Sequence, residues 1–473
     1  MIKLRNYQEQ LVQKIRAEIK NGHTKVLLQL PTGGGKTVIF TYIAKNAMER
    51  GNKVLVITDR QELQGQGART FKELGVEPML LTAQTKRLTD AGIYIAMSET
   101  IKRRIENPDY LDFVRSFDIV IVDEVHKQSF DRIYKYLTDS QFLLGVTATP
   151  YRLAPMTPLA EHFTSIIQGN QINELIQLGY LSDVTHYGVS IPEVDKIKLK
   201  GGEFDPKQTE QLYGEKRIYT GVIDNLNRIS PSGKVLLFSA TVAGSQKITH
   251  ELNAAGIRAM HLDGETPKET RRQILADFKE GKFRVLCNVG VLTTGYDEAS
   301  IDTVVLYRPT QSLPLFLQMC GRGSRIADGK KHFKILDFGE NVKRHGYWDE
   351  NRTWTLDLAK KPKKKGLDQT KICPSCGAII KSGFRECPEC GYKFLTMKNK
   401  KGIEVKVELV ELTNKQIEVG NWSVAELEQI RKAKGYAQGW LLRKLGSYTR
   451  FQEYAELMGY APGWVYINAN RYL

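Results

Sequence analysis

Pro31-Thr32-Gly33-Gly34-Gly35-Lys36-Thr37 follows the apolar run Val26-Leu27-Leu28-Gln29-Leu30 and opens a segment with apolar residues at Val38, Ile39, Tyr42, Ile43 and Met48 that stops at Gly51. The first run predicts a buried parallel strand, the proline and glycines a turn, and the later spacing a helix. A glycine turn between a strand and a helix lets backbone N–H groups converge on phosphate oxygens, and the helix N-terminus favours the negative charge. Thr32, Gly33, Gly34 and Gly35 form the expected cradle, Lys36 reaches the β- and γ-phosphates, and the Thr37 hydroxyl ligates Mg²⁺. The general pattern has Gly where this chain has Leu30, and a glycine turn with a chance Gly-Lys-Thr would read the same way. The assignment therefore leans on two further segments.

The first is Asp123-Glu124-Val125-His126, which ends the β-branched run Ile119-Val120-Ile121-Val122. Carboxylates at the carboxyl end of a buried strand sit at the ligand crevice of a parallel sheet. Asp123 suits Mg²⁺, usually through water, and Glu124 suits polarising an attacking water. A solvated acidic turn is the alternative reading of this pair taken alone. His126 is read as a coupling or cleft-rim residue, not a catalytic one. The second segment is Gln318-Met319-Cys320-Gly321-Arg322-Gly323-Ser324-Arg325. It is expected on a helix after Pro314, with Arg322 and Arg325, three apart, on one face. Guanidinium groups aimed at a γ-phosphate stabilise transition-state charge. The competing reading is a basic helix face for nucleic acid, against which the Gln and Gly spacing argues.

In this order the three segments resemble the superfamily-2 helicases and translocases of the DEAD/DEAH-like kind, with Asp-Glu-Val-His as the box. The resemblance covers about the first three-quarters of the chain. It implies an α/β fold of two RecA-like doubly wound parallel-sheet motor domains, with ATP and Mg²⁺ between them and nucleic acid as partner. Leu4-Arg5-Asn6-Tyr7-Gln8 is similar to the family's adenine-reading element, which implies Gln8 and Arg5 on the base. Val54-Leu55-Val56-Ile57-Thr58-Asp59-Arg60 and Ala96-Met97-Ser98-Glu99-Thr100 resemble loops that touch the nucleic-acid backbone, implying contacts from Thr58, Arg60 and Ser98. Thr147-Ala148-Thr149-Pro150 looks like the coupling motif. Val235-Leu236-Leu237-Phe238-Ser239 resembles the first strand of the second motor domain, which implies a nucleic-acid contact from Ser239. Val291-Leu292-Thr293-Thr294-Gly295-Tyr296-Asp297 resembles the loop whose threonines, Thr293 and Thr294, contact phosphates of the strand. The same resemblance puts Gly295, Asp297 and Gln318 at the nucleotide, with Asp297 near the ribose.

At 473 residues the chain is too long for one core. The expected organisation is a first motor domain at 1–163, a connector at 164–215 and a second motor domain at 216–358. A basic linker at 359–371, a zinc ribbon at 372–396 and a mainly helical C-terminal accessory region at 397–473 follow. Hydrophobic content of 41% and charged content of 26% are ordinary for a soluble globular protein. No apolar stretch is long enough for a bilayer, and Met1-Ile2-Lys3-Leu4-Arg5 shows no signal-peptide pattern, so a cytoplasmic protein without a membrane partner is expected.

The net charge is +16, and residues 360–473 carry 21 Lys and Arg against 11 Asp and Glu, so most of the excess lies outside the motor motifs. Lys360-Lys361-Pro362-Lys363-Lys364-Lys365 reads either as a solvated tether or as a sequence-blind phosphate contact. Cys373-Pro-Ser-Cys376-Gly and Cys387-Pro-Glu-Cys390-Gly are matching knuckles whose four thiolates suit one tetrahedral Zn²⁺. Two disulfides fit an intracellular chain poorly. Cys287 and Cys320 read as ordinary buried thiols. The run Leu336-Asp337-Phe338-Gly339-Glu340, then Trp354-Thr355-Leu356, a lysine run and a four-cysteine ribbon is similar to bacterial and phage helicases related to restriction-enzyme motors.

That narrower likeness implies DNA rather than RNA, and partners in a replication, repair or defence complex. Gly435-Tyr436-Ala437-Gln438-Gly439-Trp440 recurs as Gly459-Tyr460-Ala461-Pro462-Gly463-Trp464, read as a small helical domain that buries its tryptophans rather than a base-stacking surface. Three other readings stay open: an RNA helicase, a motor subunit of a larger complex, and a zinc-dependent nucleic-acid-binding module on a degenerate ATPase. Intact Lys36, Asp123, Glu124, Arg322 and Arg325 argue against the last.

Overall fold

The computed structural model describes residues 4–59, 68, 70–82, 84–85, 91–152, 157–188, 191–293, 295–330, 332–356, 370–372, 379–381, 392, 410–412, 424–425, 427–428, 438–445, 447–460, 464–465 and 468–469. Arg60, Thr294, Cys373, Cys376, Cys387 and Cys390, all expected to be functional, lie outside the described residues. So does the lysine run 360–365.

The apolar runs of the sequence become the central strands of two sheets. In the first, β1 (Lys25–Gln29), β2 (Val54–Thr58), β3 (Met79–Leu81), β4 (Ile93–Met97), β5 (Ile119–Asp123), β6 (Phe142–Thr147) and β7 (Ser165–Gln168) stand in the order β3-β4-β2-β5-β6-β1-β7. Their pairings are parallel, as in β5 against β6, where Val122 faces Gly145 and Asp123 faces Val146. Every residue of β2 is buried, as expected for a strand covered on both faces. Helix α1 (Asn6–Lys20) turns Tyr7, Gln8, Leu11, Val12 and Ile15 inward, and α2 (Lys36–Met48) turns Ile39, Phe40, Thr41, Ala44 and Ala47 inward.

The second sheet has the order β12-β13-β11-β14-β15-β8-β18. Its strands are β8 (Asp183–Gly188), β11 (Lys234–Ser239), β12 (Ala259–Leu262), β13 (Val285–Asn288), β14 (Ile301–Tyr307), β15 (His332–Asp337) and β18 (Val410–Leu412). A small antiparallel hairpin, β9 (Leu199–Lys200) with β10 (Glu203–Phe204), precedes β11. The segment expected as a connector at 164–215 is thus more than a connector, since β7 completes the first sheet and β8 joins the second. Both escape a pattern reading for physical reasons. β7 is four residues long, and β8 is an Asp-Val-Thr-His-Tyr-Gly run with little apolar character.

Beyond β15 the chain returns to the first sheet as a strap. The Gln168 amide meets the Trp354 backbone twice, Nε2 donating to the carbonyl at 2.9 Å and Oε1 accepting from the N–H at 3.1 Å. Gln171 meets the Arg352 backbone in the same two-bond manner. The Arg352 guanidinium donates to the carbonyls of His345, Tyr347, Trp348 and Glu350, which fixes the strap's own turn.

The chain divides into two compact units: Met1–Thr370 with Phe394–Glu411, which contains both sheets, and Lys371–Lys393 with Leu412–Leu473. The second unit has its own apolar core, including Leu427, Leu441, Phe451 and Tyr454. Its helices include Gln438–Leu445 and Tyr448–Met458, and Gly459 stops the latter in the left-handed conformation. Trp464 is partly buried against that core, with its ring 4.7 Å from that of Tyr460, as a packing role requires. The Trp440 side chain lies outside the described residues. Among the described residues no helix is long and apolar enough to cross a membrane.

Candidate functional site

The phosphate-loop sequence forms the turn it predicts. β1 ends at Gln29, α2 begins at Lys36, and Gly33 and Gly35 both adopt left-handed backbone, with φ of 84° and 82°. Glycine suits the left-handed backbone of Gly35, and a Cβ there would fall 2.3 Å from Gln8 Nε2 and displace that amide. Leu30, the departure from the usual glycine, is fully buried, and its side chain packs where a Cβ on Gly34 or Gly169 would intrude. It fills the space under the loop instead of opening it. Tyr7 Oη donates to the Gly34 carbonyl at 2.7 Å, and Lys36 Nζ to the Leu30 carbonyl at 3.3 Å.

Gln8 is buried and accepts from the Arg5 N–H at 3.0 Å. The Arg5 guanidinium lies 4.2 Å from the centre of the Tyr180 ring, and Tyr7 packs on the same ring at 5.2 Å. Tyr180, from the expected connector, is a residue the sequence reading missed. Nothing in a Leu-Gly-Tyr-Leu run announces that it folds back on Arg5.

β5 delivers Asp123, and the next residue, Glu124, takes a left-handed conformation with φ of 57°, rare for a side chain of this kind. Such backbone costs about 1–3 kcal/mol and persists where surrounding contacts hold it. Arg152 supplies them. Its guanidinium donates to the carbonyls of Val125 (2.8 Å), His126 (3.1 Å), Lys127 (3.1 Å) and Thr157 (3.0 Å), and pairs with Asp131 at 2.8 Å. Arg152 was also missed, although it lies two residues past Thr149-Pro150. His126 Nδ1 stands 2.8 Å from Thr147 Oγ1 and 3.3 Å from Glu124 Oε2, so it bridges the acidic turn to the coupling segment. Lys127 pairs with Asp59, just past Thr58, at 2.5 Å.

Burial sets the charges here. It pushes the Asp123 carboxyl up to about 7, with the neighbouring Glu124 charge adding to the rise. Burial also raises Glu124, but Lys36, His126, Lys127 and Arg322 outweigh it and leave that carboxyl below its ordinary value. Burial holds His126 neutral, with its value lowered to about 4. Asp123 and Thr37 are the oxygen donors of this site that suit Mg²⁺, and a divalent cation beside Asp123 would keep it ionised.

The second sheet meets this site through the segment after β14. Its helix runs Leu313–Cys320 and stops there, so Arg322 and Arg325 do not share a helix face as expected. Gly321 and Gly323 end the helix. A Cβ on Gly323 would fall 2.3 Å from the Phe333 ring, and one on Gly321 2.9 Å from Thr32 of the phosphate loop. The arginines converge by another route: Arg322 Nη1 and Arg325 Nη1 both donate to the Tyr296 carbonyl, at 2.7 and 2.9 Å. Arg325 also pairs with Asp297 at 2.9 Å. Gly295 takes φ of 77° just before them. Gln318 is buried, and its Nε2 has no hydrogen bond among the described residues. Lys330 Nζ ties this corner together, donating to the carbonyls of Ala299, Gly323 and Arg325.

The residues expected on nucleic acid take places at strand ends. Thr58 ends β2, Ser98 opens the helix Ser98–Arg104 after β4, and Ser239 ends β11. Thr293, in the loop after β13, donates to the Gly290 carbonyl at 2.8 Å. All four are buried in this state.

Residues 1–152 match the family model described as the type III restriction enzyme res subunit, and 219–327 the helicase conserved C-terminal domain. The chain is 30% identical over 419 residues to the 51.5 kDa protein of a Lactococcus phage (isolate 7-9), covering 85% of this chain and 88% of that one. It is 28% identical over 357 residues to IRC3 of Saccharomyces cerevisiae, described as an ATP-dependent helicase, and 28% over 389 residues to the type I restriction enzyme EcoAI endonuclease subunit of Escherichia coli. Each of those alignments covers 71% of this chain, and it spans 51% and 46% of the two relatives. The fold matches a fragment described as the HsdR subunit of a type I restriction enzyme from Vibrio vulnificus YJ016. The TM-score is 0.59 at 23% identity, over 72% of this chain and 67% of that one. Motif order, paired parallel sheets and these relatives agree: the chain belongs to the superfamily-2 helicases, and it is an ATP-dependent helicase or translocase related to phage proteins and to type I restriction subunits.

Proposed function

We propose that the chain hydrolyses ATP between its two sheets in order to move along or unwind DNA. The observation that supports this best is the approach of Gly321, from the second sheet's side, to Thr32 of the phosphate loop. A change in the nucleotide between those segments would shift one sheet against the other. Lys36 and the loop N–H groups hold the phosphates, while Thr37 and Asp123 hold Mg²⁺, which neutralises phosphate charge when bound. Glu124 orients and polarises the attacking water, and Arg322 and Arg325 leave Tyr296 and Asp297 to meet the γ-phosphate. Gln8, Arg5 and Tyr180 take the base, Asp297 and Gly295 the ribose side, and Gln318 the phosphate side. Thr58, Arg60, Ser98, Ser239, Thr293 and Thr294 grip the strand alternately.

DNA rather than RNA is favoured by the restriction-enzyme relatives. Cys373, Cys376, Cys387 and Cys390 hold one structural Zn²⁺. β16 (Thr370–Ile372) and β17 (Ile379–Lys381) pair as a two-stranded sheet, and the first two cysteines fall between them in sequence, as in a ribbon. A cytoplasmic motor with partners in a replication, repair or defence complex fits the same relatives. ATP turnover measured with single-stranded, duplex and forked DNA and with RNA of the same sequences tests the reading. DNA should stimulate more strongly, and stimulation by RNA alone would overturn the preference.

A further inference from the structure

The β9–β10 hairpin has no part in the ATP site, yet its tip is charged and exposed. Gly201 and Gly202 form a two-residue turn with φ of 61° and 83°, the pattern of a tight hairpin whose twist matches its strands. Lys196, Lys198 and Lys200 all face solvent on the way to the tip, as does Lys207 beyond it, and Leu199 between them is 57% exposed. The nearby acids are turned to other partners. Asp195 pairs with Lys343 at 2.9 Å, Glu193 pairs with Arg217 at 3.1 Å, and Asp205 caps the following helix by accepting from the Gln208 N–H at 2.9 Å. Four lysines thus face solvent here, while Glu193 and Asp195 are each paired with a cation.

Its base is fixed at a telling place. Phe204 is buried, with the Arg344 guanidinium 4.8 Å from its ring centre. The Asp205 N–H donates to the Lys198 carbonyl at 2.8 Å, and the Lys198 N–H to Gln208 Oε1 at 2.9 Å. Glu203 accepts from Thr310 Oγ1 and from the Gln311 N–H, in the segment between β14 and the helix that carries Gln318. The hairpin thus leaves the carboxyl end of β8 and is anchored at the carboxyl end of β14, on the ligand side of a parallel sheet.

We propose that this hairpin and the short helical turn Pro192–Lys196 leading into it are an additional contact with the phosphate backbone of the nucleic acid, made by Lys196, Lys198 and Lys200, with Glu203 joining them to the entry of the arginine-bearing segment. The inference rests on the helicase reading. Complementary charge favours nucleic acid as the occupant. The backbone carrying the three lysines is tied down through Phe204, Asp205 and Glu203, which lowers the entropy cost of such a contact.

The test uses the full chain with Lys196→Gln, Lys198→Gln and Lys200→Gln combined. Binding to duplex DNA is measured across a salt series, together with the DNA concentration that half-saturates ATP turnover. Loss of three phosphate contacts should make the slope of log affinity against log salt shallower by about 2.7. The half-saturating concentration should rise, with an unchanged melting temperature. Unchanged slope and affinity, or weaker affinity at an unchanged slope, would overturn the proposal. Polyglutamate captured by the natural chain but not by the variant, with DNA binding intact, would assign the hairpin to an acidic protein and also overturn it. A natural chain with no DNA-stimulated turnover would instead count against the helicase reading itself.

Discussion

Glu124 combines three features: a left-handed backbone, near-complete burial, and a carboxyl kept ionised by Lys36 and its neighbours. A residue forced into that conformation beside a phosphate loop is a candidate base, and its removal should affect chemistry more than binding. Glu124→Gln should retain ATP binding while slowing hydrolysis by about 10²–10⁴-fold, the usual worth of a positioned base. Single-turnover hydrolysis beside equilibrium ATP binding checks this, and hydrolysis at the natural rate would remove Glu124 from the role. Arg152 supports the same turn from behind. Lysine cannot reproduce four carbonyl bonds from one planar group. Arg152→Lys should therefore lower stability by about 2–4 kcal/mol, as loss of a buried charged network does. It should also slow hydrolysis, and an unchanged denaturant midpoint would contradict the clamp.

At the scale of elements the sequence and the structure part company in instructive ways. The strands built from β-branched runs, β2 and β5, were legible because both faces are buried and every position but the last, Thr58 and Asp123, is apolar. β7 and β8 were not, being short or polar, and only pairing in the sheet makes them strands. The two arginines were found by spacing but misplaced on a helix. The helix stops at Cys320, and beyond it Gly321 and Gly323 sit where Thr32 and Phe333 leave no room for side chains. Tyr180 and Arg152 carry no local signal, since their partners lie far away in sequence. In the sequence the strap entered only through Trp354-Thr355-Leu356, as part of a resemblance, and its polar anchor is His186. This ring is buried and accepts from the Trp348 N–H through Nε2 at 3.2 Å, so it must be neutral there, and burial lowers its value to about 3. The unfolded chain takes up a proton near pH 6.5 while the folded chain does not, so stability is lost as pH falls from about 6.5 toward 3. The loss approaches about 1.4 kcal/mol per pH unit for this one ring. His186→Gln keeps an acceptor without the titration, so the difference between its melting temperatures at pH 7 and pH 5 should be smaller than in the natural chain. An equal difference would show that His186 does not govern the acid response.

For the whole molecule, charge and metal separate motor from anchor. The first sheet, all of the second except its edge strand β18, and every ATP-site residue precede Cys373, so nothing in the hydrolytic site requires zinc. Purified chain should contain about one Zn²⁺, because four thiolates close one structural site. A chain ending near Lys360 should keep basal ATP turnover but bind nucleic acid more weakly and with a shallower salt dependence. Metal analysis without zinc, on protein never exposed to chelator or oxidant, would remove the ribbon. Unchanged affinity and salt slope would leave the tail a partner-docking element. The central claim is that one ATP site is completed by both sheets. Arg322 tests it most directly, because it approaches Glu124 from the second sheet and makes no contribution to the phosphate loop's own fold. The measurement is steady-state ATP turnover of Arg322→Ala beside its affinity for ATP. Turnover should fall by about 10³-fold or more, as for an arginine that meets transition-state charge, with affinity nearly unchanged. Natural turnover together with lost nucleic-acid binding would contradict the shared site and make this segment a basic surface instead.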